Sequence, residues 1–313
     1  MMKKMLILIL KSIGVIVIAI GVFLAIVFIV NMICNKSEQG KIKPYGQSVS
    51  VDGKHMNVTI QGKGEETVVL LPGFGTPAPA LDYKPLVEEL SPFYKVVVIE
   101  PFGYGLSDVT EKERSIENMV SELHESLQQL HIDRYILMAH SISGIYGLDY
   151  VNKYENEVSA FVGIDSSVPT QGGTDDKFPT ETYKLLKKSG FFRLLLKLNP
   201  DQLLTPTVDD ETKEQIRILY LKNMFNPNIL NEGENFNHNF NAVKKVVFPK
   251  NLPVIFFLQA NDTEVEGWIP LHEEQVKNSV HGKVMTFEGG HYLHHTRSKE
   301  IVENFREFMK EIK

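Results

Sequence analysis

Hydrophobic residues form one long run at the N-terminus and several short runs in the rest of the chain. After Lys3, Lys4 and Lys11, an uncharged segment extends from Ser12 to Cys34. A membrane-spanning helix needs about 20 predominantly apolar residues, and this segment supplies them. Its exit, "VNMIC", lacks the small residues of a signal-peptide cleavage site. The pattern therefore predicts an uncleaved transmembrane anchor over residues 1–34.

A polar connector, residues 35–46, separates the predicted anchor from a globular domain over residues 47–313. Lysines occur on both sides of the apolar run. The three lysines and the amino terminus before it weakly favour an inside N-terminus and an extracytoplasmic domain, by the positive-inside tendency.

The globular part alternates between short apolar runs and amphipathic stretches. "QSVSVDGKHMNVTIQG" alternates around Asp52-Gly53 and predicts a β-hairpin. "TVVLLPG", "KVVVIEP", "YILMAHS", "SAFVGID" and "VIFFLQAND" are apolar throughout, which is typical of parallel strands covered on both faces. Helical periodicity lies between them and in the closing stretch, "SKEIVENFREFMKEIK". The alternation predicts an α/β fold with a mostly parallel, doubly wound sheet.

Residues 168–250 interrupt this alternation with amphipathic segments such as "GFFRLLLKLN". They predict a helical insertion over the carboxyl edge of the sheet, where such an insertion commonly forms a lid. A purely structural excursion is the alternative.

The composition argues against a nucleic-acid-binding surface and excludes a disulfide within the chain. The formal net charge is −6, which gives no basis for a nucleic-acid surface. Cys34 is the single cysteine, so no disulfide can form within the chain.

A serine stands where the strand "YILMAH" gives way to a helical pattern. Ser141 has Ala139 two residues before it and Ser143 two residues after it, followed by Gly144. A nucleophile elbow needs small residues at these positions, because the backbone there is strained and closely packed. Helix capping is the simpler alternative. The setting predicts that Ser141 is a nucleophile.

A serine hydroxyl needs a base, and the base needs an orienting acid. His291 in "FEGGHYLHH" follows a late strand and is the predicted base, with His294 and His295 as rivals. Asp262 ends the strand "VIFFLQAND" and is the predicted acid. Asp165, at the end of "FVGID", is the alternative.

The negative oxygen of a tetrahedral intermediate needs preorganised donors, and backbone N–H groups serve best. We expect one from Ile142, directly after the nucleophile. The second is expected from Phe74 in "LPGFGTPAPA", where Gly73 and Gly75 let the backbone approach the substrate.

The motifs "LLPGFG", "IEPFGYGLSD", "MAHSISG", "QANDTEV" and "EGGHYLHH" resemble, in order, the landmarks of α/β-hydrolase-fold proteins. They resemble most a branch of bacterial membrane-anchored hydrolases of unassigned substrate. The resemblance implies a Ser-His-Asp serine hydrolase that acts on a small acyl substrate and uses no cofactor. The chain departs from the family at Pro72-Gly73, Glu100, Ala139 and Ser143, which prevents transfer of any relative's substrate.

Several other functions compete with an esterase. A peptidase or thioesterase would share the same acyl-enzyme chemistry, and a hydrolase fold can also be retained for binding alone. A zinc site at His291, His294 and His295 lacks the glutamate of the zinc hydrolase pattern. "FGYGLSD" lacks the third glycine of a dinucleotide site.

Overall fold

The computed structural model describes residues 2–174, 176–200, 203 and 205–312. The chain divides into two compact units. The larger unit comprises Lys43–Thr180 and Thr205–Lys313, and the smaller comprises Met1–Ile42 and Glu181–Leu204.

The larger unit is built on an 8-stranded sheet with the order β1-β2-β4-β3-β5-β6-β7-β8. β2 pairs antiparallel with β1 and β4, and the remaining neighbours are parallel. The strands are β1 (Gln47–Val51), β2 (Lys54–Gln61), β3 (Thr67–Leu71), β4 (Lys95–Glu100), β5 (Tyr135–His140), β6 (Val158–Ile164), β7 (Val254–Gln259) and β8 (Gly282–Phe287). The predicted hairpin and the predicted parallel, doubly wound sheet are confirmed.

Helices cover both faces of this sheet, which explains why β3 and β5 are buried along their whole length. The described residues form the helices α1 (Met2–Gln39), α2 (Pro79–Asp82), α3 (Lys84–Leu90), α4 (Ile116–Gln129), α5 (Ser143–Lys153), α6 (Thr180–Ser189), α7 (Phe191–Leu198), α8 (Asp210–Asn223), α9 (Pro227–Glu234), α10 (Phe236–Val243), α11 (Trp268–Val276), α12 (Leu293–Thr296) and α13 (Ser298–Glu311). One apolar cluster joins α4 and α5 to the sheet, and a second joins α3 and α13 to it.

The smaller unit contains α1, whose apolar window has a mean hydropathy of 3.3 and is long enough to cross a membrane. The helix continues to Gln39, so the connector predicted from residue 35 is helical in its first part. The residues of the predicted insertion are divided between the two units. Among the described residues of this range are the helices α6 to α10, and α7 and nearly all of α6 belong to the smaller unit with α1.

Candidate active site

Ser141 occupies a sharp turn between β5 and α5. Its φ is 53°, a left-handed conformation that few residues other than glycine adopt. Its backbone is held from both sides, because Ser141 N–H donates to Ile164 O at 3.4 Å and Ser167 N–H donates to Ser141 O at 2.8 Å. The serine therefore sits at a strained corner fixed against the end of β6.

The small residues around Ser141 have separate contacts. A Cβ atom at Gly144 would lie 2.3 Å from Ser167 O, so no larger residue fits there. The Ser143 hydroxyl, in place of the usual glycine, donates to Pro72 O at 2.5 Å. Ala139 is fully buried. The departure from the family pattern thus adds a hydrogen bond between the elbow and the loop after β3.

His291 hydrogen-bonds to Asp165 through Nδ1 and Oδ2 at 2.7 Å. Asp165 directly follows β6, is fully buried and has a positive φ of 41°. Its second oxygen accepts from Gln259 N–H at 3.0 Å and from Trp268 Nε1 at 2.9 Å. With Nδ1–H donated to this carboxylate, the His291 imidazole presents Nε2 as an acceptor.

The expected pairing of His291 with Asp262 is therefore corrected. Asp262 Oδ1 accepts from the N–H groups of Glu264 and Val265 at 3.0 Å and 2.7 Å, and Oδ2 accepts from the Gln259 side-chain amide. Asp262 lies beyond the end of β7, and its carboxylate closes its own turn, as short acidic side chains often do. Both of its oxygens are engaged there.

His140, directly before Ser141, joins the serine corner to the His291 loop. Its Nε2 lies 3.1 Å from His291 O, and the two rings are 4.7 Å apart between centroids. Burial lowers the pKa of His140 well below the ordinary histidine value. A neutral His140 that donates through Nε2 fixes the His291 backbone. The contact between His140 and the His291 loop was not predicted from the sequence. The position of His140 beside the nucleophile was the signal that could have indicated it.

The rivals His294 and His295 both bond to Asp82, through Nε2 atoms at 2.8 Å and 2.9 Å from its two oxygens. Burial opposes ionisation of Asp82, but these two hydrogen bonds dominate and hold its pKa below the ordinary range. The three ligand-type atoms lie within 4.8 Å of one another, as a metal site requires. Both imidazoles already donate to the carboxylate, so the cluster fits an anchor for the His291 loop.

The loop after β3 approaches Ser141 closely. A Cβ atom at Gly73 would lie 2.9 Å from Ser141 Cβ, and Gly75 has a φ of 68°. Gly75 N–H donates to the Tyr104 hydroxyl at 3.1 Å. Within the described part of the chain, no hydrogen bond engages the backbone N–H of Phe74 or Ile142. These two N–H groups remain available as donors.

A cavity of about 30 Å³ borders Pro72, Ser143, Tyr146 and Glu232, but not Ser141 or His291. This cavity therefore does not mark a substrate site beside Ser141.

Comparison with known proteins agrees with this architecture. A family model described as the alpha/beta hydrolase fold matches residues 66–204. The chain is 28% identical over 300 residues to the uncharacterized protein YbdG of Bacillus subtilis, covering 92% of each chain. It is 34% identical over 77 residues to a putative carbamate hydrolase, RutD, of Cronobacter turicensis, covering 24% of this chain and 29% of RutD.

Among solved structures, a variant of the Vigna radiata epoxide hydrolase superposes with a TM-score of 0.68 at 19% identity. The match covers 85% of this chain and 98% of the other. At that identity the likeness concerns the fold. The sheet order, the elbow between β5 and α5, the family model and the relatives together identify the chain as a protein of the α/β-hydrolase fold.

Proposed function

We propose that the chain is a serine hydrolase that cleaves a carboxylic ester or a related acyl bond of a small molecule. Ser141 is the nucleophile, His291 the general base and Asp165 the orienting acid. The backbone N–H groups of Phe74 and Ile142 form the oxyanion hole.

In this mechanism His291 Nε2 takes the proton of the Ser141 hydroxyl as its oxygen attacks the acyl carbonyl. The buried Asp165 carboxylate holds the imidazole tautomer and stabilises the imidazolium that forms. The two N–H groups bind the negative oxygen. His291 then protonates the leaving group, and water, activated by the same base, releases the acyl chain from Ser141.

The observation that carries this proposal is the hydrogen bond between His291 and Asp165. The buried Asp165 carboxylate accepts from His291, and the His291 loop contacts His140, the residue before the strained Ser141. Acyl transfer requires this arrangement of acid, base and nucleophile. The relatives named as hydrolases support the reaction class. An Asp nucleophile, as in epoxide hydrolases, is disfavoured by Ser141 at the elbow.

A fluorophosphonate probe tests the nucleophile on the purified full-length chain. We expect covalent labelling of the wild type that disappears in Ser141→Ala. Ser48→Ala, an exposed serine on β1, is the matched control and should label normally. Absence of labelling in the folded wild type would favour a hydrolase fold retained for binding.

A side-by-side assay of short p-nitrophenyl esters, acyl thioesters and amides tests the bond that is cleaved. The proposal predicts the highest kcat/KM for an ester, with all turnover lost in Ser141→Ala. Preference for an amide or a thioester would instead assign a peptidase or a thioesterase.

The same proposal places the chain in the cell membrane, with α1 as a single-pass anchor and the hydrolase domain on the extracytoplasmic side. The apolar length of α1 and the lysines Lys3, Lys4 and Lys11 before its uncharged run support this arrangement.

A further inference from the structure

Helix α7 packs along the C-terminal part of α1. The Phe191 and Phe23 rings are 6.2 Å apart between centroids. Gly190, with a φ of 88°, approaches so closely that a Cβ atom there would lie 2.9 Å from Val27 O and 2.7 Å from Asn31 Cβ. The contact therefore depends on a glycine between α6 and α7.

A polar network fixes the same contact nearer the end of α1. Arg193 donates through Nη1 and Nη2 to the two oxygens of Glu38 at 2.8 Å and 2.6 Å, and through Nε to Asn31 at 3.1 Å. Arg193 and Glu38 are largely buried, so their bidentate pair is shielded from solvent. This network fixes the position of α7 along α1, between Asn31 and Glu38.

The residues of α1 that approach Gly190, namely Val27 and Asn31, lie inside the uncharged run, whereas Glu38 lies just beyond its end. A helix rises about 1.5 Å per residue, so Asn31 and Val27 lie about 5 Å and about 10 Å below Cys34, the end of the run. Amphipathic helices at membrane surfaces bury their apolar faces to about 5–10 Å. The start of α7 is therefore held at the depth of a membrane-embedded amphipathic helix.

The surface of α6 and α7 has the composition that this depth requires. Leu185, Leu195 and Leu198 are 67%, 42% and 67% exposed, although large apolar side chains are usually buried in a globular domain. Lys184 and Lys188 are also exposed, and their cationic heads suit anionic lipid headgroups. Exposed leucines beside exposed lysines are typical of an element that lies in a membrane interface.

We propose that the α6–α7 segment, Thr180–Leu198, is a membrane-interface element that binds a bilayer containing anionic lipids beside α1. The inference rests on the proposed membrane anchor and is independent of the catalytic residues. It gives residues 180–198 of the predicted insertion a lipid surface as their partner.

The test places a single environment-sensitive label on the full-length chain in proteoliposomes that contain phosphatidylglycerol. Cys34 is first replaced by serine, and a nitrobenzoxadiazole dye is attached at Leu198→Cys or Leu195→Cys. We expect blue-shifted emission that is quenched by lipids carrying a spin label near the headgroup. Val22→Cys, on the exposed surface of α1, serves as the anchor control and should be quenched by spin labels deeper in the acyl chains.

Water-like emission at residues 195 and 198, with normal quenching at residue 22, would overturn the inference and leave the anchor intact. Blue-shifted emission without quenching by spin-labelled lipid would also overturn it, because a protein surface would then cover the leucines. Loss of quenching at residue 22 would instead refute the anchor. Replacement of Lys184 and Lys188 by glutamine should weaken quenching at residue 198.

Discussion

His140 and His294 are buried imidazoles packed 4.5 Å apart between ring centroids beside His291. Burial lowers the pKa of both below the ordinary histidine value. The folded state therefore favours their neutral forms. Because the unfolded chain protonates histidine near pH 6.5, their contribution to stability is complete above that pH and is lost as the pH falls below it.

This linkage predicts that His140→Asn reduces the pH dependence of unfolding between pH 7 and pH 5. Each such histidine can contribute about 1.4 kcal/mol per pH unit between its folded pKa and 6.5. The buried Glu100 and Glu232 have raised pKa values and act in the opposite direction, so the prediction concerns the difference between variants. Thermal unfolding at both pH values measures it.

His281→Asn, at an exposed position, is the matched control variant. Equal pH dependence in the wild type and in His140→Asn would show that His140 is not held neutral by the fold.

The sequence pattern predicts His291 as the base and Asp262 as the acid, with Asp165 as the alternative, but His291 pairs with Asp165. Each acid follows an apolar strand, and β6 and β7 are neighbours in the sheet. The difference lies in local geometry. Asp165 directly follows the end of β6 and has a positive φ. Asp262 lies beyond the end of β7, and its carboxylate accepts from the N–H groups of its own turn. A linear pattern does not encode which carboxylate reaches a distant imidazole.

At the scale of elements, the loop after β3 and the elbow after β5 form one assembly. The Ser143 hydroxyl binds Pro72 O, and a Cβ atom at Gly73 would lie 2.7 Å from His140 Nδ1 and 2.9 Å from Ser141 Cβ. The glycine there permits close approach of two backbones, which is the usual reason for a glycine at such a point. The position of the Phe74 N–H therefore depends on the absence of a side chain at residue 73.

Gly73→Ala should reduce kcat/KM for an ester by about 10²-fold, the effect of losing one oxyanion donor. The added Cβ would lie 2.7 Å from His140 Nδ1, so the loop must move away from Ser141. Gly172→Ala, where nothing lies within 4 Å, is the matched control and should keep full activity. Full activity in Gly73→Ala would contradict the proposed oxyanion loop.

The elements themselves were largely predictable, because apolar runs and helical periodicity mark strands and helices directly. The packing of α7 against α1 was not predictable from the sequence. The amphipathic pattern of α7 indicates which face is apolar, but not that Arg193 pairs with Glu38, 155 positions away in sequence. Contacts of that separation follow from the folded chain and leave no local signal.

At the scale of the whole molecule, α1 should hold the chain in a membrane. We expect the full-length protein to remain in the membrane fraction after alkaline carbonate extraction, with an intact mass that includes the N-terminal segment. Release into the supernatant, or a mass lacking the apolar run, would identify a cleaved signal sequence instead.

The most direct test of the central claim compares Asp165→Asn with Asp262→Asn in ester hydrolysis by the full-length protein. Loss of the triad carboxylate costs about 10⁴-fold in kcat by misorienting the histidine. The account predicts a loss of that order for Asp165→Asn and kcat within about tenfold of wild type for Asp262→Asn, whose carboxylate serves only its own turn. A severe loss in Asp262→Asn with near-normal turnover in Asp165→Asn would contradict the proposed triad.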